Sequence, residues 1–146
     1  MSYGLRKYRT SQANTASRED LLILLYEGAI RFLERAISEM EARNLSEHKM
    51  YLRRGLAIVA ELQSTLDFDK GGELSMQLFD LYGFMMERLS QANMKQDMSL
   101  IRVVIENLET LLEGWRDAVR QVKEKQGLQD MAPPPPSGRR LAGGAY

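Results

Sequence analysis

The sequence has no cysteine and a single histidine, His48, among its 146 residues. A chain without cysteine forms no disulfide bonds and offers no thiolate chemistry, which fits a reducing compartment such as the cytoplasm. Proline is confined to one run at 133–136, so the rest of the chain lacks the residue that interrupts helices most strongly. No stretch reaches about 18 consecutive apolar residues, and residues 1–10 are too polar for a signal peptide, so we expect neither membrane insertion nor secretion.

The scarcity of metal-binding and basic catalytic side chains argues against an enzyme. Bundles that hold two metal ions use inward glutamates and Glu-x-x-His pairs on facing helices, and His48 fits no such pattern. We expect His48 to face solvent at a bundle end, which leaves a serine or threonine nucleophile without the base it needs. The sequence therefore predicts no catalytic residue, no metal site and no cofactor, and a protein that is not an enzyme.

The distribution of charge separates a basic arm from an acidic body. The formal net charge is zero, yet residues 1–16 carry three basic side chains and no acidic one, whereas residues 17–126 carry 15 basic and 19 acidic ones. A body with a net charge of −4 is not typical of a nucleic-acid-binding protein, so no nucleic-acid partner is expected. The arm either lies back on the acidic body or extends into solvent.

Apolar residues recur at steps of three and four in four segments, the period of amphipathic helices, and no segment alternates as a strand does. The first helix is expected to begin at Ser17, whose hydroxyl forms a capping-box pattern with Asp20, and the second is expected to be capped by Ser46. The helices are predicted at about 17–43, 46–67, 73–94 and 97–125.

Short connections force sequence neighbours to run antiparallel, so the sequence predicts an all-α, up-down-up-down four-helix bundle. The predicted organisation is an N-terminal arm or short cap helix at 1–16, the bundle at 17–126 and a disordered Pro/Gly-rich tail at 127–146. The predicted core comprises Leu22, Tyr26, Ala29, Leu33, Ala36, Met40, Leu52, Val59, Leu62, Leu66, Leu74, Leu78, Leu81, Met85, Leu89, Ala92, Ile101, Val104, Leu108, Leu111, Trp115, Val119 and Val122.

Three glycines carry structural meaning in this pattern. Gly55 lies on the core face of the second helix, where a glycine costs roughly 1 kcal/mol relative to alanine, so it predicts the close approach of a neighbouring helix. Gly71 and Gly72, within "DFDKGGE", predict a turn between the second and third helices and match no phosphate-binding loop.

The helices carry more apolar surface than one buried stripe requires. The surplus comprises Ile23 and Leu24 on the first helix, Phe79, Tyr82 and Met86 on the third with Met76, Phe84 and Met94 still farther from its core stripe, and a second uncharged stripe of Leu100, Val103, Asn107, Thr110 and Gly114 on the fourth. Wide apolar stripes can simply cover more of the protein's own core. Alternatively, a partner helix, a second subunit or the arm covers them, and we favour this second interpretation. Tyr3, Leu5 and Tyr8 have the spacing of a short amphipathic turn that would cover Ile23 and Leu24 as a removable lid.

Several segments are similar to one known family. The segments "TASREDLLILLYEGAIRFLERA" at 15–36, "IVAELQSTLDFDKGGEL" at 58–74 and "LYGFMMERLSQAN" at 81–93, with Asp97 and Trp115, resemble the FliS-type flagellar secretion chaperones. Glu27 stands where the family usually has aspartate, and Arg18 replaces a common proline. The resemblance covers roughly residues 3–120.

The resemblance implies a chaperone that binds the disordered C-terminal segment of flagellin, prevents its polymerisation in the cytoplasm and helps deliver it to a flagellar export-gate component. It also implies that the arm occupies part of this site, with Tyr8 in the lid or in the export-gate contact. The alternative is a structural bundle that homodimerises through its extra stripes, and a co-chaperone is a further possible partner. The predicted partner-binding residues are Tyr8, Ile23, Leu24, Phe79, Tyr82, Met86, Leu100, Val103, Asn107 and Gly114.

Overall fold

The computed structural model describes residues 18–131, with side chains as far as 128. Over this range the chain forms four helices and no strand: α1 (Arg18–Glu41), α2 (Leu45–Ser64), α3 (Phe68–Lys95) and α4 (Met98–Met131). The prediction of an all-α protein is confirmed. The expected cap Ser17, the arm at 1–16 and the tail beyond 131 lie outside the described residues.

The helices form a ring in which each packs against the next along the chain and α4 returns to α1. The connections at 42–44, 65–67 and 96–97 are two or three residues long, so neighbouring helices run antiparallel. Ion pairs between α1 and α4 agree with this direction, because Asp20 meets Lys123 at one end of the pair and Glu41 meets Arg102 at the other. The predicted four-helix bundle is confirmed.

The core is one apolar stripe from each helix. Most predicted core side chains are at most 9% exposed, namely Tyr26, Ala29, Leu33, Ala36, Leu52, Val59, Leu62, Leu78, Met85, Leu89, Ala92, Ile101, Val104, Leu108 and Val119. Others are half-buried against this core, namely Leu22, Met40, Leu66, Leu81, Leu111 and Trp115. Burial of this apolar area is the main favourable term in folding, at about 25 cal/mol per Å².

Two predicted core positions are wrong. Leu74 is 55% exposed and Val122 is 56% exposed. Leu74 borders an open cavity at the end of the bundle instead of packing against a facing helix. Val122 lies next to Lys123, which is level with the first turn of α1, so the remainder of α4 extends beyond the described part of its neighbour.

The helices differ from the prediction in four places. Ser46 does not cap α2, which begins one residue earlier at Leu45, where Asn44 makes no side-chain capping hydrogen bond. The Asp67 carboxylate caps α3 by accepting from the N–H groups of Asp69 and Lys70, each at 3.0 Å, so this helix begins before the predicted turn. The turn at Gly71–Gly72 becomes a kink inside α3, where Gly72 has φ 52 and ψ −124. The fourth helix continues to Met131, past the predicted start of the tail at 127.

The close approach predicted at Gly55 is confirmed. A Cβ atom at this position would lie 2.6 Å from Leu33 Cδ2 and 2.9 Å from Leu33 Cγ. Leu33 is fully buried in the core, so it has no free space into which to move. Gly55 therefore sets the separation between α1 and α2.

The expectation that His48 faces solvent is wrong, because its side chain is completely buried. Neither ring nitrogen makes a well-formed hydrogen bond within the described part of the chain. Burial, reinforced by the charge of Lys49, lowers the pKa of His48, while the backbone carbonyl of Ala36 partly opposes the shift. At neutral pH the folded protein therefore holds this imidazole in its neutral form.

The contact at Gly55 generates a prediction with a matched control. Gly55→Ala should lower the free energy of unfolding by about 1–3 kcal/mol, because the overpacking against Leu33 exceeds the gain in helix propensity. Gly114→Ala should raise it by about 1 kcal/mol, since no described atom lies within 4 Å of a Cβ there. Urea unfolding of both variants measures the difference, and stabilisation by both substitutions would contradict the packing argument.

The burial of His48 predicts a pH dependence. A histidine whose pKa is lowered by folding contributes stability that is present above its ordinary pKa of 6.5 and lost as the pH falls below it, because the unfolded chain binds the extra proton. Between about pH 7.5 and pH 5.5 the wild type should lose more stability than His48→Leu, which carries the same carboxylates but no imidazole. Chemical unfolding at several pH values tests this, and parallel curves for the two proteins would contradict it.

Candidate partner-binding surface

Large apolar side chains on the surface are concentrated on α3. Phe68, Leu74, Met76, Phe79, Phe84 and Met94 are between 44% and 82% exposed. Single apolar side chains are ordinary on protein surfaces, but six large ones exposed along one helix make that helix a candidate binding surface. We call these six side chains the α3 apolar surface.

Three phenylalanine rings of α3 have defined contacts with neighbouring groups. Phe68 and Phe79 meet edge to face, with ring centroids 5.8 Å apart. The Gln63 side chain donates to the backbone carbonyl of Phe79 at 3.0 Å and so ties α2 to α3 beside this pair. Further along α3, the Arg88 guanidinium lies over the Phe84 ring, 4.0 Å from its centroid. Phe68, Phe79 and Phe84 are therefore held by specific contacts even though about half of each side chain is exposed.

A cavity of about 1020 Å³ lies at the end of the bundle where α1 and α3 begin and α2 ends. Its wall is mainly leucine side chains from three helices and the connection at 65–67, namely Leu21, Leu22, Leu25, Leu62, Leu66, Leu74 and Leu78. Its polar lining includes Arg18 and Lys70. A second, smaller cavity of about 460 Å³ lies between α2 and α3 at the opposite end, lined in part by Leu56 and Met94. Concave apolar sites of this kind accept apolar side chains of another polypeptide.

Tyr26, Tyr82 and Trp115 form a hydrogen-bonded cluster at the inner side of the larger cavity. The Trp115 indole Nε1 donates to Tyr26 Oη at 3.0 Å, and Tyr26 Oη is also hydrogen-bonded to Tyr82 Oη. Tyr26 and Tyr82 are at most 1% exposed, while Tyr82 and Trp115 line the cavity. The cluster joins α1, α3 and α4 through one hydroxyl group.

Burial raises the pKa of both phenols. For Tyr26 the hydrogen bonds from Tyr82 and Trp115 partly oppose the shift, and for Tyr82 the neighbouring Tyr26 adds to it. Both side chains therefore stay neutral at physiological pH and act as hydrogen-bonding groups. The cluster supplies a rigid inner wall for the cavity.

The structure leaves several predicted partner-binding residues accessible. Phe79 is 44% exposed and Val103 is 38% exposed. Gly114 is exposed, and no described atom would contact a Cβ placed on it. Asn107 is half-buried on the same side of α4. These positions agree with a surface available to a partner.

Other predicted partner-binding residues lie deeper. Ile23, Met86 and Leu100 are half-buried and pack against the core, which accounts for part of the surplus apolar surface. Leu24 is half-buried without joining that core set among the described side chains. Tyr8 lies outside the described residues.

The prediction of Tyr82 as a flanking surface contact is wrong. Its side chain is 1% exposed because it reaches across the bundle to Tyr26. The helical period places Tyr82 between Phe79 and Met86 at the edge of the core stripe, which suggested a surface role. The hydrogen bond across the core decides its actual orientation.

Two exposed residues were missed. Phe68 falls in the predicted turn, and Leu74 in the predicted core. Asp67 followed by another acid at Asp69 is a signal for a helix start, and it would have placed Phe68 on α3. No sequence signal reveals the cavity beside Leu74, because it depends on the relative positions of three helices.

The described side chains show neither a metal-binding cluster nor a membrane span. Among them, no group of three or more histidine, aspartate or glutamate side chains is arranged to hold a metal ion. No helix within 18–131 is both long enough and apolar enough to cross a bilayer.

A helical bundle that exposes apolar side chains along one helix and an apolar cavity is typical of proteins that bind other polypeptides. Comparison with protein families matches residues 1–122 to "Flagellar protein FliS". The chain belongs to this family.

Similar proteins carry consistent names. The chain is 36% identical over 110 residues to the flagellar secretion chaperone FliS of Campylobacter jejuni, covering 75% of this chain and 86% of the relative. It is 32% identical over 121 residues to the protein of the same name from Salmonella typhimurium, covering 82% and 87%. These relatives are named as chaperones, not as enzymes. A solved structure described as a flagellar chaperone from bacteria has the same fold, with a TM-score of 0.68 at 19% identity over 81% of this chain and 98% of that one.

The Tyr26 cluster generates a stability prediction. Tyr26→Phe should cost about 1–3 kcal/mol, because it removes the shared partner of Tyr82 and Trp115. Tyr82→Phe should cost less, since Tyr26 keeps its bond from Trp115. The double variant should cost less than the sum of the two, because both remove the same bond. Thermal and urea unfolding measure these values, and strictly additive losses would contradict the shared bond.

Proposed function

We propose that this chain is a cytoplasmic export chaperone that binds the disordered C-terminal region of flagellin. In this proposal it prevents premature polymerisation of flagellin and assists delivery to the flagellar type III export apparatus. Membership of the FliS family and the names of the relatives support the export role. The α3 apolar surface is the observation that carries the proposed binding mode.

The physical reason is the match between this surface and an amphipathic guest. Phe68, Phe79 and Phe84 present ring faces and edges, and Met76 and Met94 are flexible side chains that adapt to different partners. A segment that folds into a helix on binding loses conformational entropy, so it needs a large apolar contact area to bind well. Subunits that polymerise through apolar helical faces are kept apart when a chaperone covers those faces.

The guest site extends onto α4 and toward the N-terminal arm in this proposal. Val103, Asn107 and Gly114 supply the α4 portion, where charged side chains are absent from the stripe Leu100, Val103, Asn107, Thr110 and Gly114. The arm, including Tyr8, acts as a removable lid near Ile23 and Leu24 and lowers guest affinity by the free energy of its closed state. Tyr8 also serves as a candidate contact for an export-gate component, and a co-chaperone is a further candidate partner.

The decisive experiment titrates a flagellin C-terminal peptide into the purified chain. Gly114→Arg should weaken binding by at least about tenfold without loss of stability, because a Cβ at this exposed position meets no described atom within 4 Å, whereas a long charged side chain enters the uncharged stripe. Gly127→Arg is the matched control on the same helix, also without described neighbours within 4 Å, and should bind as the wild type does. Calorimetry supplies affinity and stoichiometry.

Light scattering on the same samples separates the chaperone from its alternative. A defined complex of one chain with one peptide supports the proposal. A stable homodimer that ignores the peptide would overturn it and favour a structural bundle that pairs through its extra apolar stripes. Equal binding by both arginine variants would remove the α4 stripe from the site.

Deletion of residues 1–10 tests the lid in the same titration. Removal of a competing lid should tighten peptide binding or leave it unchanged, because the closed state no longer has to open. Loss of binding would show that the arm is part of the guest site.

A further inference from the structure

We infer that the face formed by α1 and α2 is a second docking site, which takes an acidic segment of a protein partner. Its centre is the group Phe32, Tyr51, Arg35 and Arg54, which we call the arginine–aromatic cluster. The seam between α1 and α2 lies across the ring from the seam between α3 and α4. This site is therefore separate from the α4 stripe of the proposed guest site.

The two rings and two guanidinium groups are stacked on one another. The Phe32 and Tyr51 rings lie 6.3 Å apart between centroids and are tilted by only 28°. Arg35 lies 5.0 Å from the centre of the Tyr51 ring, and Arg54 lies 5.8 Å from that of Phe32 and 5.9 Å from that of Tyr51. Such contacts hold the guanidinium planes in place while leaving N–H groups at their edges free to donate.

The arginines of this face have no anionic partner in the described chain. Arg31, Arg35 and Arg54 are exposed, and none of them forms an ion pair with another residue within 18–128. In contrast, Arg102, Arg116 and Arg120 on α4 each pair with a carboxylate. Carboxylates do occur on the neighbouring turns, at Glu39 and Glu47, but Glu39 Oε1 accepts from Asn44 at 3.4 Å instead. The three guanidinium groups thus form a local positive patch, bordered by the carboxylates of Glu34, Glu39 and Glu47, on a body that carries a net charge of −4 over 17–126.

The charges of the chain's own terminal segments indicate that the occupant of this docking site is another protein. The arm at 1–16 has three basic side chains and no acidic one, and residues 127–146 have two arginines and one aspartate, so neither terminal segment complements the patch. Planar guanidinium groups recognise carboxylates with paired hydrogen bonds, and the ring edges beside them accept apolar side chains. A segment with Asp or Glu next to leucine or aromatic residues meets both requirements. The acidic body repels extended polyanions such as nucleic acid, whereas a short acidic segment contacts the patch alone.

The test uses a labelled helical peptide with glutamates four positions apart beside leucines, and the same peptide with glutamine in place of glutamate. Fluorescence anisotropy with the full chain should show binding of the acidic peptide that weakens between about 0.05 M and about 0.3 M salt, as expected for partly exposed charges. The glutamine peptide should bind at least about tenfold more weakly.

Variants of the full chain locate the interaction. Arg35→Gln with Arg54→Gln should weaken acidic-peptide binding by at least about tenfold, and lysine at both positions should restore it only in part because lysine lacks the planar fork. Arg53→Gln with Arg102→Gln removes the same charge elsewhere and should leave binding within about twofold of the wild type. Gly127→Arg, which lies outside both proposed sites, should leave acidic-peptide binding unchanged. Because this assay contains no flagellin segment, its failure is distinguishable from failure of the flagellin proposal.

Defined outcomes would overturn the inference. Equal binding of the acidic and glutamine peptides would do so, as would equal losses in the two double variants. Loss of thermal stability in Arg35→Gln with Arg54→Gln, without any loss of peptide affinity, would assign the cluster to a purely structural role in joining α1 and α2. Nuclear magnetic resonance shifts confined to α3 and α4 would also contradict the proposed location.

Discussion

A helix in a four-helix bundle contacts two neighbours and directs the rest of its circumference to solvent. Apolar side chains outside the buried stripe of a helix therefore stay exposed to solvent, because no neighbouring helix is available to cover them. Phe84 and Met94 on α3 are in this position, and each is at least 47% exposed. This geometric limit converts surplus hydrophobicity in the sequence into a surface for other polypeptides, and membership of the FliS family agrees with that use.

The interior combines close packing with a few placed polar groups. Gly55 lets α1 and α2 approach until Leu33 fills the space that a side chain would occupy. At the other side of the core, one hydroxyl of Tyr26 joins Tyr82 and Trp115 beside the larger cavity. Buried groups that satisfy each other in this way favour one arrangement of the helices, because any shift leaves a polar atom without a partner. The cavity therefore has a fixed wall.

Charged side chains, like the exposed apolar ones, are distributed unevenly among the helices. Along the α1–α4 seam, acidic side chains of α1 pair with basic side chains of α4. Across the α1–α2 seam, arginines stack on aromatic rings instead and form no ion pair with another described residue. The bundle therefore presents an apolar surface on α3 and an arginine–aromatic cluster on α1 and α2, two surfaces of different chemistry.

The sequence alone determined the helices and most of the core, because a repeat of three and four apolar positions defines a buried stripe for residues such as Ala29 and Leu108. The family resemblance also followed from contiguous motifs. Tertiary structure alone decided the orientation of Tyr82, the burial of His48 and the exposure of Leu74, since each depends on a neighbouring helix or its absence. The arginine–aromatic cluster likewise joins Phe32 to Tyr51 across two helices, and periodicity within one helix carries no information about such a pairing.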